Sequence, residues 1–420
     1  MHGPSSDAAS CGEYARLSRR SFMGAAAAAS APLWLPRTAL GAPGGGAGQA
    51  RDTLVFVFLR GGTDMLSAVV PYGDPGLYSA RPTLAVPSSQ VIDLDGFFGL
   101  APALAPLLRA YTDQKLAFVH AAGSTDPTRS HFDAMARIET ASPNAPTIAF
   151  DGWLARHLLH IGALGQGELR GLALGDLLPR LLAGAPASLP VADPANFGFP
   201  GDPATAPARR AALARMYDRA APPQGPAADS ALATIDLLQA VDFANYQPTN
   251  GASYPASPLG SALASTAALL KHGVELEAVT YDYGGWDHHA NMGPLNGQLA
   301  AMLNDLALGL DAFELDLRGS GRRWTLVVQS EFGRRVAENG SAGTDHGRGS
   351  CLFLLGDGIN GGRVFGSWPG LAPGQLDQGD LAVTTDYRAV LAEVLAERLG
   401  ATDLGAVFPG FTPGALGVTA

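Results

Sequence analysis

The chain has 420 residues, a formal net charge of −10 and 47% hydrophobic residues. That is enough apolar material for one large α/β domain, or two smaller ones, with a real core. The acidic balance excludes the positive face that nucleic acid demands, and it opposes electrostatic adhesion to anionic lipid.

Ser18-Arg19-Arg20-Ser21-Phe22-Met23 reads as a twin-arginine consensus. Small apolar residues follow from Gly24 through Ala29 to Leu33-Trp34-Leu35, and Ala39-Leu40-Gly41 offers a small-residue exit. A charged start, a short apolar middle and such an exit describe a signal peptide, not a membrane anchor. Residues 1–41 are therefore expected to be a twin-arginine signal peptide and 42–50 a Gly/Ala linker. The partner this implies is the twin-arginine export machinery, and the destination is the periplasm or the exterior. Removing residues 1–41, with four Arg against Asp7 and Glu13, leaves a mature charge of about −12. No later apolar stretch reaches the roughly 18 residues needed for a span. Of the two cysteines, Cys11 lies in the expected leader, so Cys351 has no internal disulfide partner after processing. A chain that needs no disulfide can fold, and take up a cofactor, before export.

In chain order, Thr53 to Leu59 is a continuous β-branched and aromatic run ending at Gly61-Gly62, the pattern of a buried parallel strand. Leu116–His120, Leu276–Tyr281, Trp324–Gln329 and Cys351–Leu355 predict further core strands. Helices are predicted at 130–141, 207–220, 228–244, 258–272, 289–318 and 386–399. Strands alternating with helices argue for an α/β fold with a doubly wound, mostly parallel sheet. The Pro-, Ala- and Gly-rich stretch at about 184–260 reads as a helical insertion or cap.

In such sheets, sites form at the carboxyl ends of the strands. Five polar clusters fall there: Arg60-Gly61-Gly62-Thr63-Asp64, Ser124 to His131, Asp282 to His289, Ser330-Glu331-Phe332-Gly333-Arg334, and Thr344-Asp345-His346-Gly347. Carboxylates with imidazoles suit a borderline divalent metal such as Zn²⁺ or Mn²⁺. A metal or metal pair polarises a phosphoryl or sulfuryl oxygen and activates a nucleophile. Arg129 or Arg60 is the candidate for clamping an oxyanion. His120, His157, His160 and His272 are read as structural.

Arg60-Gly-Gly-Thr-Asp64, Arg129-Ser-His-Phe132, Gly285-Trp-Asp-His-His289, Ser330-Glu-Phe-Gly-Arg334, Thr344-Asp-His-Gly347 and Asn360-Gly-Gly-Arg363 together resemble the domain of unknown function 1501 family, across essentially the whole mature chain. That family is grouped with the alkaline phosphatase and sulfatase superfamily, an α/β fold with a metal site at the strand ends. The resemblance implies a domain over 51–420 that holds Zn, Mn or Ca through Asp64, Asp287, His289, Glu331, Asp345 and His346. Thr125-Asp126-Pro127-Thr128-Arg129 is similar to the sulfatase nucleophile segment. By that likeness Thr125, or Ser124 beside it, would attack, and Arg129 and His131 would assist. No Cys or Ser stands at position 125 to become formylglycine, and Glu331 stands where the superfamily has an Asp followed by His. The implied function is an exported metal-dependent hydrolase of a phosphate or sulfate ester on a small molecule or glycan. The alternative is a non-catalytic member that binds a glycan, metal or protein partner in the cell envelope.

Overall fold

Thr53–Arg60 forms β1, at the heart of the sheet, in a computed structural model that describes residues 51–143, 148–164, 167–199, 201–220 and 224–420. The expected signal peptide (1–41) and linker (42–50) lie outside the described residues. Side chains alternate across a strand, so β1 feeds two cores. Val55, Val57 and Leu59 enter one apolar cluster, and Leu54, Phe56 and Phe58 enter another on the opposite face. Burial on both faces explains the unbroken apolar run, and each large side chain so buried contributes about 1.5–3 kcal/mol.

Along the chain follow β2 (Val69–Val70), β3 (Ile92–Asp93), β4 (Gly99–Leu100), β5 (Leu116–Gly123), β6 (Gly171–Ala173), β7 (Ser188–Pro190) and β8 (Ala278–Gly284). The last four are β9 (Trp324–Ser330), β10 (Ser350–Leu355), β11 (Arg363–Phe365) and β12 (Thr385–Asp386). The main sheet runs β11-β5-β10-β9-β1-β8-β6-β7, with β12 also beside β5, while β2, β4 and β3 make a separate small sheet. β1 is parallel to both β8 and β9, whereas β10 is antiparallel to both β5 and β9. The fold is thus a mixed α/β domain around a central, mostly parallel sheet.

Helices cover both faces. Pro258–His272 and Gln298–Leu317 contribute Leu263, Leu269, Leu303, Leu310 and Phe313 to the first core. Trp153–His160 and Tyr387–Glu397 contribute Trp153, Leu158, Val390 and Val394 to the second. Their ends are set locally: Ser257 Oγ accepts the Gly260 N–H, and Asp386 accepts the Arg388 N–H.

Several predicted boundaries move. The helix expected at 289–318 begins only at Gln298, because Gly293 at φ +59°, Pro294 and an extended Gly297 hold 289–297 as a loop. The strand expected at Leu276–Tyr281 is Ala278–Gly284, and the helix expected at 228–244 is Gln224–Gln239. Within 184–260, β7 joins the main sheet, and Leu238 and Val241 sit in the first core. That stretch is packed into the domain at these points. Among the described residues no helix is long and apolar enough to cross a membrane.

Candidate metal centre

The carboxyl ends of β1, β5, β8 and β9 share one edge of the sheet. Because β10 runs the other way, its start brings the loop 344–349 back to that edge. Gly61, at φ +122°, turns the chain out of β1 against the loop that carries Asp287. A Cβ there would stand 2.7 Å from the Asp287 nitrogen, so only glycine permits the approach. An isolated bridge between Arg334 and His346 fixes the last loop against the segment after β9.

Four side chains converge in this edge. Asp287 Oδ1 lies 2.9 Å from His289 Nε2, 3.2 Å from His346 Nε2 and 3.4 Å from His131 Nε2. His346 Nε2 lies 3.0 Å from His131 Nε2 and 2.9 Å from His289 Nε2. Donors about 2.0–2.1 Å from a tetrahedral ion stand about 3.3 Å from one another. Asp287, His131 and His346 match that spacing mutually, while His289 meets it only toward Asp287 and His346.

The outer nitrogen of each imidazole is pinned. His131 Nδ1 donates to Glu331 Oε1 at 2.7 Å, His346 Nδ1 to the Arg129 carbonyl at 2.7 Å, and His289 Nδ1 to Asp345 Oδ1 at 3.2 Å. Carboxylates and carbonyls only accept, so these partners assign the proton to Nδ1 in all three rings. Each neutral ring then presents its Nε2 lone pair to the others and to Asp287 Oδ1. Lone pairs facing one another at such distances require a proton or a metal ion between them. This donor set fits a divalent metal, and each orienting partner is of the kind that raises a ligand's basicity.

Without such an ion, protons and Arg334 carry the positive charge. Burial disfavours charge on His131, but the hydrogen-bonded carboxylates of Asp287 and Glu331 outweigh it and raise its pKa to about 9. Burial likewise opposes ionisation of Asp287. Hydrogen bonds from His131, His289 and His346, with the Arg334 charge, overcome this and hold the carboxyl well below the usual carboxylate range. Asp287 also raises His289. Arg334 is fully buried and donates to Asp287 Oδ1 at 2.6 Å and to the Thr344 carbonyl at 3.0 Å, as well as to the carbonyls of Gly61 and Gly62.

The residues singled out in the sequence therefore divide. Asp287 and His346 meet at the common centre with His131, which was expected to assist catalysis, and His289 lies against Asp287 and His346. Glu331 and Asp345, expected as ligands, instead orient two of the rings. Glu331 also accepts the Gly61 N–H at 2.8 Å and the Ser330 hydroxyl at 3.0 Å, which occupies both its oxygens. Asp64 is held away from the centre, because Arg81 takes both its oxygens at 2.6 and 2.8 Å in a fully buried pair. The Arg129 guanidinium, expected to clamp an anion, is engaged by the buried carboxylate of Asp380, while its carbonyl orients His346. Ser124 Oγ accepts the Asp126 N–H at 3.1 Å, and Thr125 is exposed in the same loop. His288 is buried with neither ring nitrogen hydrogen-bonded; burial and the nearby Arg334 lower it to about 4. Sequence reasoning missed Arg81, Asp380 and the central place of Arg334. The only signal for the last was its position three residues after Glu331.

Past the end of β6 and along β8 lies a cleft of about 680 Å³ lined in part by Leu174, Tyr246, Ser261, Tyr281 and Asp282, and by none of the centre's own side chains. Asp282 pairs with Arg60 at 2.8 Å, next to the Gly61 turn.

A family model described as "Protein of unknown function (DUF1501)" matches residues 203–406. That span holds Asp287, His289, Glu331, Arg334 and His346 but not Asp64 or His131. No curated protein matches the chain. Among solved structures, the chain is similar to an alkaline phosphatase from the Antarctic bacterium TAB5, at 9% identity and a TM-score of 0.31, covering 74% of this chain and 93% of that one. It is also similar to a phosphonate monoester hydrolase of Agrobacterium radiobacter, at 10% identity and a TM-score of 0.33, covering 87% and 79%. A phosphonate monoester hydrolase from Silicibacter pomeroyi matches at 12% identity and a TM-score of 0.25, covering 75% and 70%.

Proposed function

We propose that this chain is an exported metal-dependent hydrolase of a phosphate or sulfate ester, with His131, Asp287 and His346 holding the metal and His289 beside them. One observation carries the reading: the Nε2 atoms of His131 and His346 and one Asp287 oxygen converge, with His289 against two of them and every outer Nδ1 already committed. The ester class comes from the motif resemblance. Three imidazoles suit Zn²⁺ better than Ca²⁺, which prefers six to eight oxygens.

A bound divalent ion would supply Lewis acidity toward an ester oxygen. The chain's own residues do the rest. Glu331, Asp345 and the Arg129 carbonyl hold the rings in one tautomer. Arg334 keeps Asp287 ionised. Ser124 or Thr125 is the candidate attacking hydroxyl, on the loop that leads to His131. The cleft at Tyr281 and Asp282 offers space for the body of the substrate. Export is assigned to Arg19 and Arg20, and changing both to Lys should retain the protein in the cytoplasm on cell fractionation.

The first test is elemental analysis of protein purified without chelators. Near-stoichiometric metal, lost in His346→Ala and Asp287→Ala while far-UV circular dichroism is kept, supports the centre. Metal-free wild-type protein that stays metal-free on reconstitution refutes it. A panel of phosphate and sulfate monoesters and diesters then tests turnover, which Thr125→Ala or Ser124→Ala should lower at unchanged metal content. One feature favours the non-catalytic alternative: Asp380 engages the Arg129 guanidinium, the group expected to hold the anion. That reading predicts bound metal with no saturable hydrolysis.

A further inference from the structure

Building on that reading, we infer that the centre takes one metal ion, and that the guanidinium of Arg334 stands as a fixed second cation that keeps another ion out. The position of Arg334 carries this. Its NH2 lies 2.6 Å from Asp287 Oδ1, the oxygen shared by all three imidazoles, and its NH1 lies 3.4 Å from His289 Nε2. The guanidinium therefore covers the edge between Asp287 and His289. In paired-metal sites the ions stand about 3.5–4 Å apart and share such ligands, so this is space a second ion would use.

Nor can Arg334 swing away at low cost. A guanidinium has five N–H bonds, and four of them are held by carbonyl or carboxylate oxygens. Nε donates to the Gly62 carbonyl. NH1 serves the Thr344 carbonyl, with His289 Nε2 3.4 Å away, and NH2 serves the Gly61 carbonyl and Asp287, with the Trp286 carbonyl at 3.3 Å sharing it. The side chain is fully buried, so water cannot replace these partners.

Charge agrees. Asp287, Glu331, Asp345 and Arg334 sum to two negative charges around three neutral rings. One divalent ion neutralises this, whereas a second would leave two positive charges in a partly buried site.

Cobalt(II) titration of metal-free full-length protein tests this, read by visible absorption and by metal analysis after desalting. Saturation at one equivalent is expected for the wild type and for Arg334→Lys, which keeps the charge. Arg334→Gln, folded by circular dichroism, should take up a second equivalent. Two equivalents in the wild type overturn the inference and leave the metal centre standing. No uptake by the wild type removes the centre itself and the inference with it. A folded Arg334→Gln that still saturates at one equivalent shows that the guanidinium does not set the count, which also overturns the inference. Should that variant not fold, the wild-type titration decides.

Discussion

Replacing Glu331 by Gln changes one buried charge and almost no volume. In the native site Glu331 Oε1 accepts from His131 Nδ1 at 2.7 Å and from the Gly61 N–H at 2.8 Å. Gln keeps an oxygen for these two donors, and its amide faces Ser330 Oγ, which rotates to accept. The fold should survive. The loss is the negative charge behind His131, which makes its Nε2 a better ligand. Loss of an orienting partner of this type weakens metal affinity by about 10–100-fold, or about 1.4–2.7 kcal/mol. The assay is competition for Zn²⁺ against a chromophoric chelator, with unfolding followed in parallel. Metal affinity unchanged within a factor of two would refute the orienting role. A well-folded variant that binds no metal at all would show that Glu331 is a direct ligand, the role the sequence motif implied.

Two other perturbations separate fold from centre. Asp64→Asn leaves the Arg81 guanidinium buried without its counter-charge, which costs about 3–5 kcal/mol. Denaturant unfolding should register that loss at unchanged metal stoichiometry, and loss of metal from protein that remains folded would return Asp64 to the ligand set. For pH, the relevant group is His120, which donates from Nε2 to the Val69 carbonyl while Nδ1 accepts the Ala121 N–H; burial lowers it to about 4. As pH falls through about 6.5 the unfolded chain takes up a proton that the folded chain refuses until about 4. Stability is therefore fully present above that upper value and falls by about 3 kcal/mol across the window. His157, also lowered to about 4 by burial, acts in the same sense. Unfolding free energies measured between pH 7 and 4.5 should show the decline, and His120→Gln should flatten it. An equal slope in the variant would refute the assignment.

How much of this was legible in the sequence depended on how local each signal was. β1 and β9 declare themselves because both faces are buried and the apolar run is unbroken. β6 and β7, with three residues each, and the helix Trp153–His160 carry too short a pattern to stand out. Strand direction has no sequence signature, so the antiparallel β10 emerges only from pairing. In the centre, Asp287-His288-His289 and Asp345-His346 were visible as ligand types. Which carboxylate faces the ion and which faces the back of an imidazole was not, because that depends on register between loops. Arg129 and Asp64 drew attention by type, yet their partners Asp380 and Arg81 stand 251 and 17 residues away.

The four converging side chains sit at positions 131, 287, 289 and 346, and only the pairing of β5, β10, β9, β1 and β8 brings them together. An unfolded or half-assembled chain holds at most the two neighbours Asp287 and His289, too few to retain an ion. Metal content then reports on assembly as well as on chemistry. In a preparation of this protein, the fraction carrying metal should not exceed the fraction whose sheet is complete, so an elemental assay sets a lower bound on correctly folded molecules.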